Sequence, residues 1–175
     1  LRKLNAPWPF VRLLDDGARR QRHCWPLYGT ETAPGRASWY ALWPIVRSSR
    51  DERRDLTVER FHVVPFYFQE NRLAAPAATN EAPRRVAACR RFWPLFSWQR
   101  NEEGSRFRTL ELNPFRGSAA VDRNWAPLWS LFTRRARADG SRASDLLWGL
   151  AAWGRDAEQR PFLQLLWAFR FGDGW

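Results

Sequence analysis

The chain has 175 residues, with 12 Trp, 12 Phe, 3 Tyr and a formal net charge of +11. One domain of this length can bury a substantial core. Aromatic side chains bury about 150–250 Å² each, so this composition excludes a polar, mobile tail. We expect a folded or membrane-associated protein.

The positive charge comes almost entirely from arginine, because Lys3 is the only lysine. Many arginines stand beside acids in polar, turn-like segments, as in 15–20, 51–54 and 102–106. This arrangement favours a solvated charged rim. A surface for polyanions, either nucleic acid or anionic lipid headgroups, stays open as the alternative.

The chain contains no methionine, even at its first position. We therefore expect it to start after processing, or to be part of something longer, with any signal peptide or lipidation site upstream of Leu1. The longest apolar run, 146–153, falls short of the roughly 18 residues of a membrane-spanning helix. A membrane-crossing β-strand needs only about 9–11 residues and stays open.

Extended apolar segments alternate with polar turns along the whole chain. Tight turns such as 15–17 and 103–105 contain glycine, which is typical of β-hairpins. By propensity alone, 142–153 and 157–170 are also compatible with helices. The stretch 71–83 lacks periodicity and is predicted to be a mobile loop or an internal boundary. In chain order the predicted extended segments are 8–14, 23–28, 38–46, 58–69, 90–99, 107–112, 124–135, 146–153 and 161–171.

Proline recurs beside aromatic and aliphatic residues at intervals of mostly about 17–21 residues, which indicates an internal repeat. Proline costs about 3 kcal/mol inside a helix and removes a hydrogen-bond donor from a central strand. We therefore predict an all-β fold: an antiparallel meander of successive hairpins, about nine strands, forming a curved or barrel-like sheet in one domain, 1–175. The repeated prolines are at positions 9, 26, 44, 65, 94, 114 and 127.

Alternation along the segments predicts one face that is almost purely apolar and aromatic. In 161–171, for example, Leu163 and Leu165 share a face with Trp167, Phe169 and Phe171. This face is predicted to form a core or an interface. The aromatic residues assigned to it are Trp25, Trp43, Phe66, Trp93, Phe96, Trp98, Trp129, Trp167 and Phe169.

The sequence carries no signature of catalysis. His23 and His62 lie in different repeats, and no nucleotide-binding, hydrolase or metalloprotease motif is present. The spacing of Cys24 and Cys89 suggests no metal site. If their two repeats neighbour each other in the sheet, a disulfide is geometrically plausible, and two free buried thiols are the alternative. We predict no enzyme activity, no cofactor and no metal.

Two acids, Glu59 and Glu111, lie within predicted strands rather than in turns. We expect them to pair with arginines across the sheet. Single-stranded nucleic acid binding needs aromatic rings exposed on a basic face. Here the aromatic residues alternate onto an apolar face and the arginines collect at turns, which disfavours nucleic acid as a partner.

A unit recurs in which an aromatic residue, Pro, Leu and a second aromatic residue are followed by a charged turn and a returning strand. This unit resembles the tandem hairpin repeats of largely uncharacterised bacterial cell-envelope proteins. The resemblance implies an exported protein of the periplasm or outer membrane and assigns no functional residues. The residues that carry it are Trp25-Pro26-Leu27-Tyr28, Val64-Pro65-Phe66-Tyr67, Trp93-Pro94-Leu95-Phe96 and Pro127-Leu128-Trp129.

These observations predict a non-enzymatic structural or protein-interaction module of the bacterial cell envelope, held by its aromatic face. Its partners would be other envelope proteins or a larger assembly, with the membrane as a further option. The first alternative is an outer-membrane β-barrel or part of one, since each strand offers one apolar face. The second alternative is a basic nucleic-acid-binding protein.

Overall fold

A computed structural model describes residues 2–5, 10–76, 82–110, 112, 130–166 and 169–172. These residues form β-strands and turns, and no helix occurs among them. Sixteen strands follow one another in chain order, each hydrogen-bonded to the next, without a crossover. The prediction of an all-β antiparallel meander is confirmed.

The strands are short, between 4 and 9 residues. They are β1 Arg2–Asn5, β2 Val11–Asp15, β3 Arg20–Cys24, β4 Tyr28–Ala33, β5 Arg36–Ala41, β6 Val46–Glu52, β7 Leu56–Val63, β8 Tyr67–Ala74, β9 Arg84–Phe92, β10 Phe96–Asn101, β11 Gly104–Thr109, β12 Phe132–Arg137, β13 Arg142–Leu146, β14 Ala151–Arg155, β15 Pro161–Leu165 and β16 Phe169–Gly172.

The chain divides into two compact units, Leu1–Ala88 and Cys89–Trp175. The division falls inside β9, which follows the stretch 71–83. The first unit contains β1 to β8 and the start of β9. The second contains the end of β9 and β10 to β16.

The predicted number of about nine strands is too low. The sequence predicts the proline motifs to be parts of strands, whereas 25–27, 64–66 and 93–95 are turns between two strands. A proline in a tight turn needs no ladder hydrogen bond, so its recurrence marks the ends of strands. The peptide bonds before Pro26, Pro44, Pro65 and Pro94 are cis.

For a similar reason, the sequence predicts one strand where the structure has the last two. The segment 161–171 forms β15 and β16, which pair antiparallel with Leu163 opposite Phe171 and Leu165 opposite Phe169. These four residues therefore share a face, as predicted, but across a hairpin. The helical alternatives for 142–153 and 157–170 do not hold for their described residues, which are strand and turn.

The turns at one end of the strands are held by acidic and amide side chains. The backbone N–H of Arg19 donates to the Asp16 carboxylate at 2.6 Å, and that of Ser141 donates to Asp139 at 2.8 Å. Gly17 and Gly140 supply the left-handed backbone of these turns. Such local bonds explain why polar residues and glycine terminate these strands.

In each unit the two faces of the sheet have opposite character, because directly paired residues point to the same face. The more buried face carries polar side chains, such as Gln21 and Ser49 in the first unit. In the second unit Ser97, Arg108 and Thr133 lie side by side on it and are buried. We call this the polar face and the other the apolar face. The buried Asn71, on the apolar face, departs from the pattern.

Candidate functional site: an apolar face and an apolar rim

Large hydrophobic side chains of the described residues are exposed on the apolar face and in the turns at one end of the strands. Trp39 and Phe61 pack together on the apolar face of the first unit, with ring centroids 6.3 Å apart. Trp39 is nevertheless 38% exposed. In water a sheet normally buries its apolar face, so this arrangement is inverted.

In the first unit, the turns 25–27, 42–45 and 64–66 all lie at the same end of the strands, because alternate turns of a meander share an end. We call this end the apolar rim. Leu27 is 58% exposed and Phe66 is 53% exposed. The opposite end, the polar rim, has the turns 16–19, 34–35 and 53–55, which carry Asp, Arg and Gly.

The second unit separates its turns in the same way. Its apolar rim is formed by the turns 93–95 and 147–150 together with Leu110 and Leu166. Leu166 is 59% exposed, one of the most exposed large hydrophobic side chains of the described chain. The polar rim of this unit has the turns 102–103, 138–141 and 156–160, which are rich in acids and arginine.

Backbone hydrogen bonds connect neighbouring turns of each apolar rim. In the first unit, the N–H of Leu42 donates to the carbonyl of Leu27 at 2.7 Å. In the second unit, Leu110 donates to Leu95 and Leu166 donates to Leu150, each at 2.7 Å. These turn groups are therefore paired within the protein, although the side chains around them are apolar.

Leucine repeatedly occupies a left-handed backbone conformation at the apolar rim. The φ angles are 49° for Leu42, 52° for Leu110, 47° for Leu147 and 51° for Leu166. This region costs a residue with a Cβ about 1–3 kcal/mol and is normally filled by Gly or Asn. An exposed leucine there is unfavourable both in conformation and in hydration, which makes the rim a candidate functional surface.

The aromatic residues predicted to form a core or an interface are mostly at this rim, and none of the described ones is buried. Trp25, Trp43 and Phe66 are turn residues exposed by 43%, 42% and 53%. Phe96 and Phe169 are on the apolar face, 38% and 57% exposed. Trp93 and Trp98 are half-buried, in a turn and in β10 respectively. Trp129 and Trp167 lie outside the described residues.

Arginines stand at one level of the apolar face of the second unit. Arg100, Arg142 and Arg155 lie on a single cross-strand row, in which Arg142 and Arg155 are direct partners. All three are exposed, and none pairs with an acid among the described residues. The sequence does not reveal this row, because the register that aligns the three strands depends on where the turns lie.

In the first unit, the cross-strand row at the same distance from the apolar rim has its arginines paired with acids. Arg20 forms an ion pair with Asp15 at 3.1 Å, and Arg50 forms one with Glu59 at 3.3 Å. Glu59 thus pairs with an arginine on the neighbouring strand, as expected from the sequence. Glu111 lies outside the described residues.

A network of charged groups covers the polar face of the first unit. Arg60 binds Asp51 at 3.1 Å and Glu70 at 3.0 Å, and Arg72 also binds Glu70. Burial alone would raise the pKa of Glu70, but hydrogen bonds from Arg72 and Arg60 outweigh it, so the pKa lies below its usual value. This network stabilises the ionised form of Glu70.

Among the described residues, no comparable ion pair is found for Arg91. It is only 8% exposed, yet its Nε and Nη2 atoms are buried without a hydrogen bond. Arg108, 3% exposed, and Ser97, 4% exposed, are buried on the polar face of the same unit. A buried guanidinium with unsatisfied donors destabilises the fold unless something else accepts those bonds.

His23 belongs to a small aromatic cluster on the polar face. Its ring stacks on Tyr40, with centroids 5.6 Å apart, and Nδ1 lies 3.2 Å from the Tyr40 hydroxyl. Burial lowers the pKa of His23, and burial raises the pKa of Tyr40. The stacking and the polar contact hold the two rings together on the polar face.

The described cysteines, Cys24 and Cys89, are not joined by a disulfide. His23 and Cys24 are adjacent in β3 and therefore point to opposite faces. Within the described ranges, no group of three His, Cys, Asp or Glu side chains could hold a metal ion. Those ranges also contain no helix with the length and apolar character needed to cross a membrane.

Comparison with protein-family models, with characterised proteins and with solved structures gave no match to this chain. The resemblance to cell-envelope hairpin repeats therefore stays a prediction. The inverted sheet and its two contrasting rims are the observations from which a function can be argued.

Proposed function

We propose that this protein is a non-enzymatic structural module of the bacterial cell envelope that binds an apolar partner through its apolar face and rim. One observation carries the proposal: polar side chains are buried while large hydrophobic side chains are exposed. Monomeric soluble proteins rarely expose contiguous apolar patches beyond a few hundred Å², and larger ones mark protein or membrane contacts.

The residues around this surface suit binding better than chemistry. Glu59, Glu70 and Asp51 are all engaged by arginines. Tryptophan, which is abundant at the rim, supplies large contact area at interfaces and at the boundary between membrane and water.

The alternative is that the strands form part of an outer-membrane β-barrel. Outer-membrane strands place apolar residues towards lipid and polar residues inwards, which is the distribution found here. Strand length argues the other way. Strands of 4 to 9 residues are short against the about 9–11 residues that cross a bilayer, and several turns at the apolar rim are themselves apolar.

Fractionation of cells that produce the complete tagged gene product at native level tests the envelope assignment. We expect the protein in the periplasmic or membrane fraction. Recovery in the cytosolic fraction, with a cytosolic marker enzyme and without a periplasmic one, would contradict the assignment. A detergent requirement during purification would favour the outer-membrane alternative, and recovery without detergent would favour the soluble module.

A further inference from the structure

We propose that the second unit inserts its apolar rim into a single leaflet of an anionic membrane, with Arg100, Arg142 and Arg155 at the level of the lipid phosphates. The proposal rests on the envelope function above and names the partner of the same surface. The occupant is a lipid surface rather than another protein for three reasons. These are the distance between the rim and the arginine row, the hydrogen bonding of backbone groups in the rim turns, and the positive charge of the arginine row.

The described surface that would enter the leaflet is apolar except for Thr109, Ser144 and the exposed Arg134. Arg134 lies two positions nearer the rim than Ala136 in the arginine row, and its long side chain can extend towards that row while its stem covers apolar surface.

Leu165 and Phe169, on the apolar face next to the rim, are 38% and 57% exposed. Trp148 and Leu166, in the rim itself, are 51% and 59% exposed. Burial of these side chains in hydrocarbon would remove them from water, which is favourable in proportion to their area.

The distance between the arginine row and the rim fits within one leaflet. Arg155 lies four positions along β14 from Ala151, which pairs with Leu165 beside the rim. At 3.4 Å per residue this separation is about 14 Å. Half of a hydrocarbon core about 30 Å thick is about 15 Å. The apolar rim would thus reach the hydrocarbon when the arginines are at the phosphates.

Turns seldom enter hydrocarbon, because unpaired backbone groups there are costly. Several rim turns avoid that cost: Leu147 donates to the carbonyl of Leu131 and Leu166 donates to that of Leu150, each at 2.7 Å. On the polar rim, by contrast, 156–160 carries two acids and an arginine. The unit would therefore enter a membrane by one rim only.

The arginine row supplies the charge complementarity. Directly opposed like charges such as Arg142 and Arg155 destabilise a sheet unless an anion lies between them. Guanidinium groups bind phosphate through two parallel hydrogen bonds. Anionic headgroups would provide such partners along the row. No acid among the described residues does so.

Binding to vesicles provides the test. The whole protein is mixed with vesicles of phosphatidylcholine alone and of phosphatidylcholine with phosphatidylglycerol. We expect preferential binding to the anionic vesicles. In the double variant Arg142→Gln and Arg155→Gln the affinity should fall about tenfold or more, since each basic residue near the surface strengthens binding to anionic lipid.

The matched control removes the same charge from the same level of the first unit. Arg20→Gln with Arg50→Gln also lowers the net charge by two, but these arginines are already paired with Asp15 and Glu59. We expect less than a threefold loss of affinity. Equal losses in the two double variants would show nonspecific attraction and would overturn the placement of the arginine row.

A second pair of variants tests insertion of the rim. Leu166→Asn keeps the left-handed turn but removes the apolar side chain, so binding to vesicles should weaken several-fold while the thermal midpoint is retained. Gln159→Asn places the same residue type at a left-handed position of the polar rim, where φ is 62°, and should leave binding unchanged. Unchanged binding in Leu166→Asn would overturn the insertion.

Other occupants of the surface would give different results. If the wild-type protein ignores both vesicles and instead forms dimers, or binds a single-stranded oligonucleotide through the same arginines, the proposal fails. Failure with vesicles, together with recovery of the protein in the envelope fraction, would remove the lipid partner alone. Recovery in the cytosol would remove the envelope function instead.

Discussion

Gly29 allows two aromatic rings to meet on the polar face. It lies between His23 and Tyr40 in a cross-strand row, since it pairs with both. A Cβ at this position would overlap the Tyr40 ring and lie 2.6 Å from Nδ1 of His23. The absence of a side chain at Gly29 therefore makes room for the stacked pair.

Replacement of Gly29 by alanine should lower the free energy of unfolding by about 1–3 kcal/mol, because the rings must separate. Urea denaturation followed by circular dichroism measures the loss. In a Tyr40→Ala background the same replacement should cost much less, since the ring in its way is gone. An equal loss in both backgrounds would contradict the overlap.

Arg91 should be a net cost to the fold in the absence of a ligand. Arg91→Met removes two buried unpartnered donors and keeps an unbranched apolar stem, so the free energy of unfolding should rise by about 1–3 kcal/mol. Arg60→Met serves as the control, because Arg60 is bound to Asp51 and Glu70. That variant should lose about 1 kcal/mol. A loss for both variants would show that Arg91 has an effective partner.

His23 should make stability depend on pH in a defined window. Its pKa in the folded protein lies below 6.5 because the ring is partly buried. As the pH falls below about 6.5, the unfolded chain therefore takes up a proton first, and stability present above that pH is lost. His23→Phe keeps an aromatic ring but does not titrate. The slope of unfolding free energy between about pH 7 and 5 should be smaller in this variant than in the wild type.

At the scale of single elements, the sequence indicates the polar turns much better than the apolar ones. Segments such as 15–17 and 103–105 contain the acids and glycine that terminate strands, and the structure has turns at 16–19 and 102–103. The turns 25–27 and 93–95 look like parts of strands, because Trp is enriched in strands and the neighbouring apolar residues continue the extended segment. Their turn geometry depends on hydrogen bonds to neighbouring turns, and these bonds do not show in local sequence.

The left-handed leucines permit a test of whether the apolar rim sacrifices stability for function. Leu42 has a φ of 49° and is 54% exposed. Leu42→Asn should therefore raise the free energy of unfolding by about 0.5–1 kcal/mol, because asparagine tolerates this conformation. Binding of a hydrophobic dye should fall. Leu27→Asn, at a neighbouring turn without a positive φ, should reduce dye binding with no gain in stability.

At the scale of the whole chain, the fold class follows from the sequence because turn signals recur throughout. The number of strands does not follow, since each proline motif contains a strand end, a turn and a strand start. The aromatic residues of the candidate surface can be chosen from composition and alternation. The arginine row of Arg100, Arg142 and Arg155 cannot, because it depends on the register of four consecutive strand pairs.

These observations share one feature. The apolar face and apolar rim are exposed, whereas the polar face is buried. A protein that worked in water alone would gain stability by covering Trp148, Leu166 and Phe169. Instead these side chains, 51%, 59% and 57% exposed, stand at one end of the strands, with charged turns at the other. We infer that the two rims meet two different environments.

An environment-sensitive fluorophore attached in turn to the two rims tests this claim most directly. Cys24 and Cys89 are replaced by serine, and a single cysteine is introduced as Leu166→Cys or, separately, as Gln159→Cys. With anionic vesicles, the probe at position 166 should shift to shorter wavelength and brighten, while the probe at position 159 should stay in water. Identical spectra at the two positions would contradict the account.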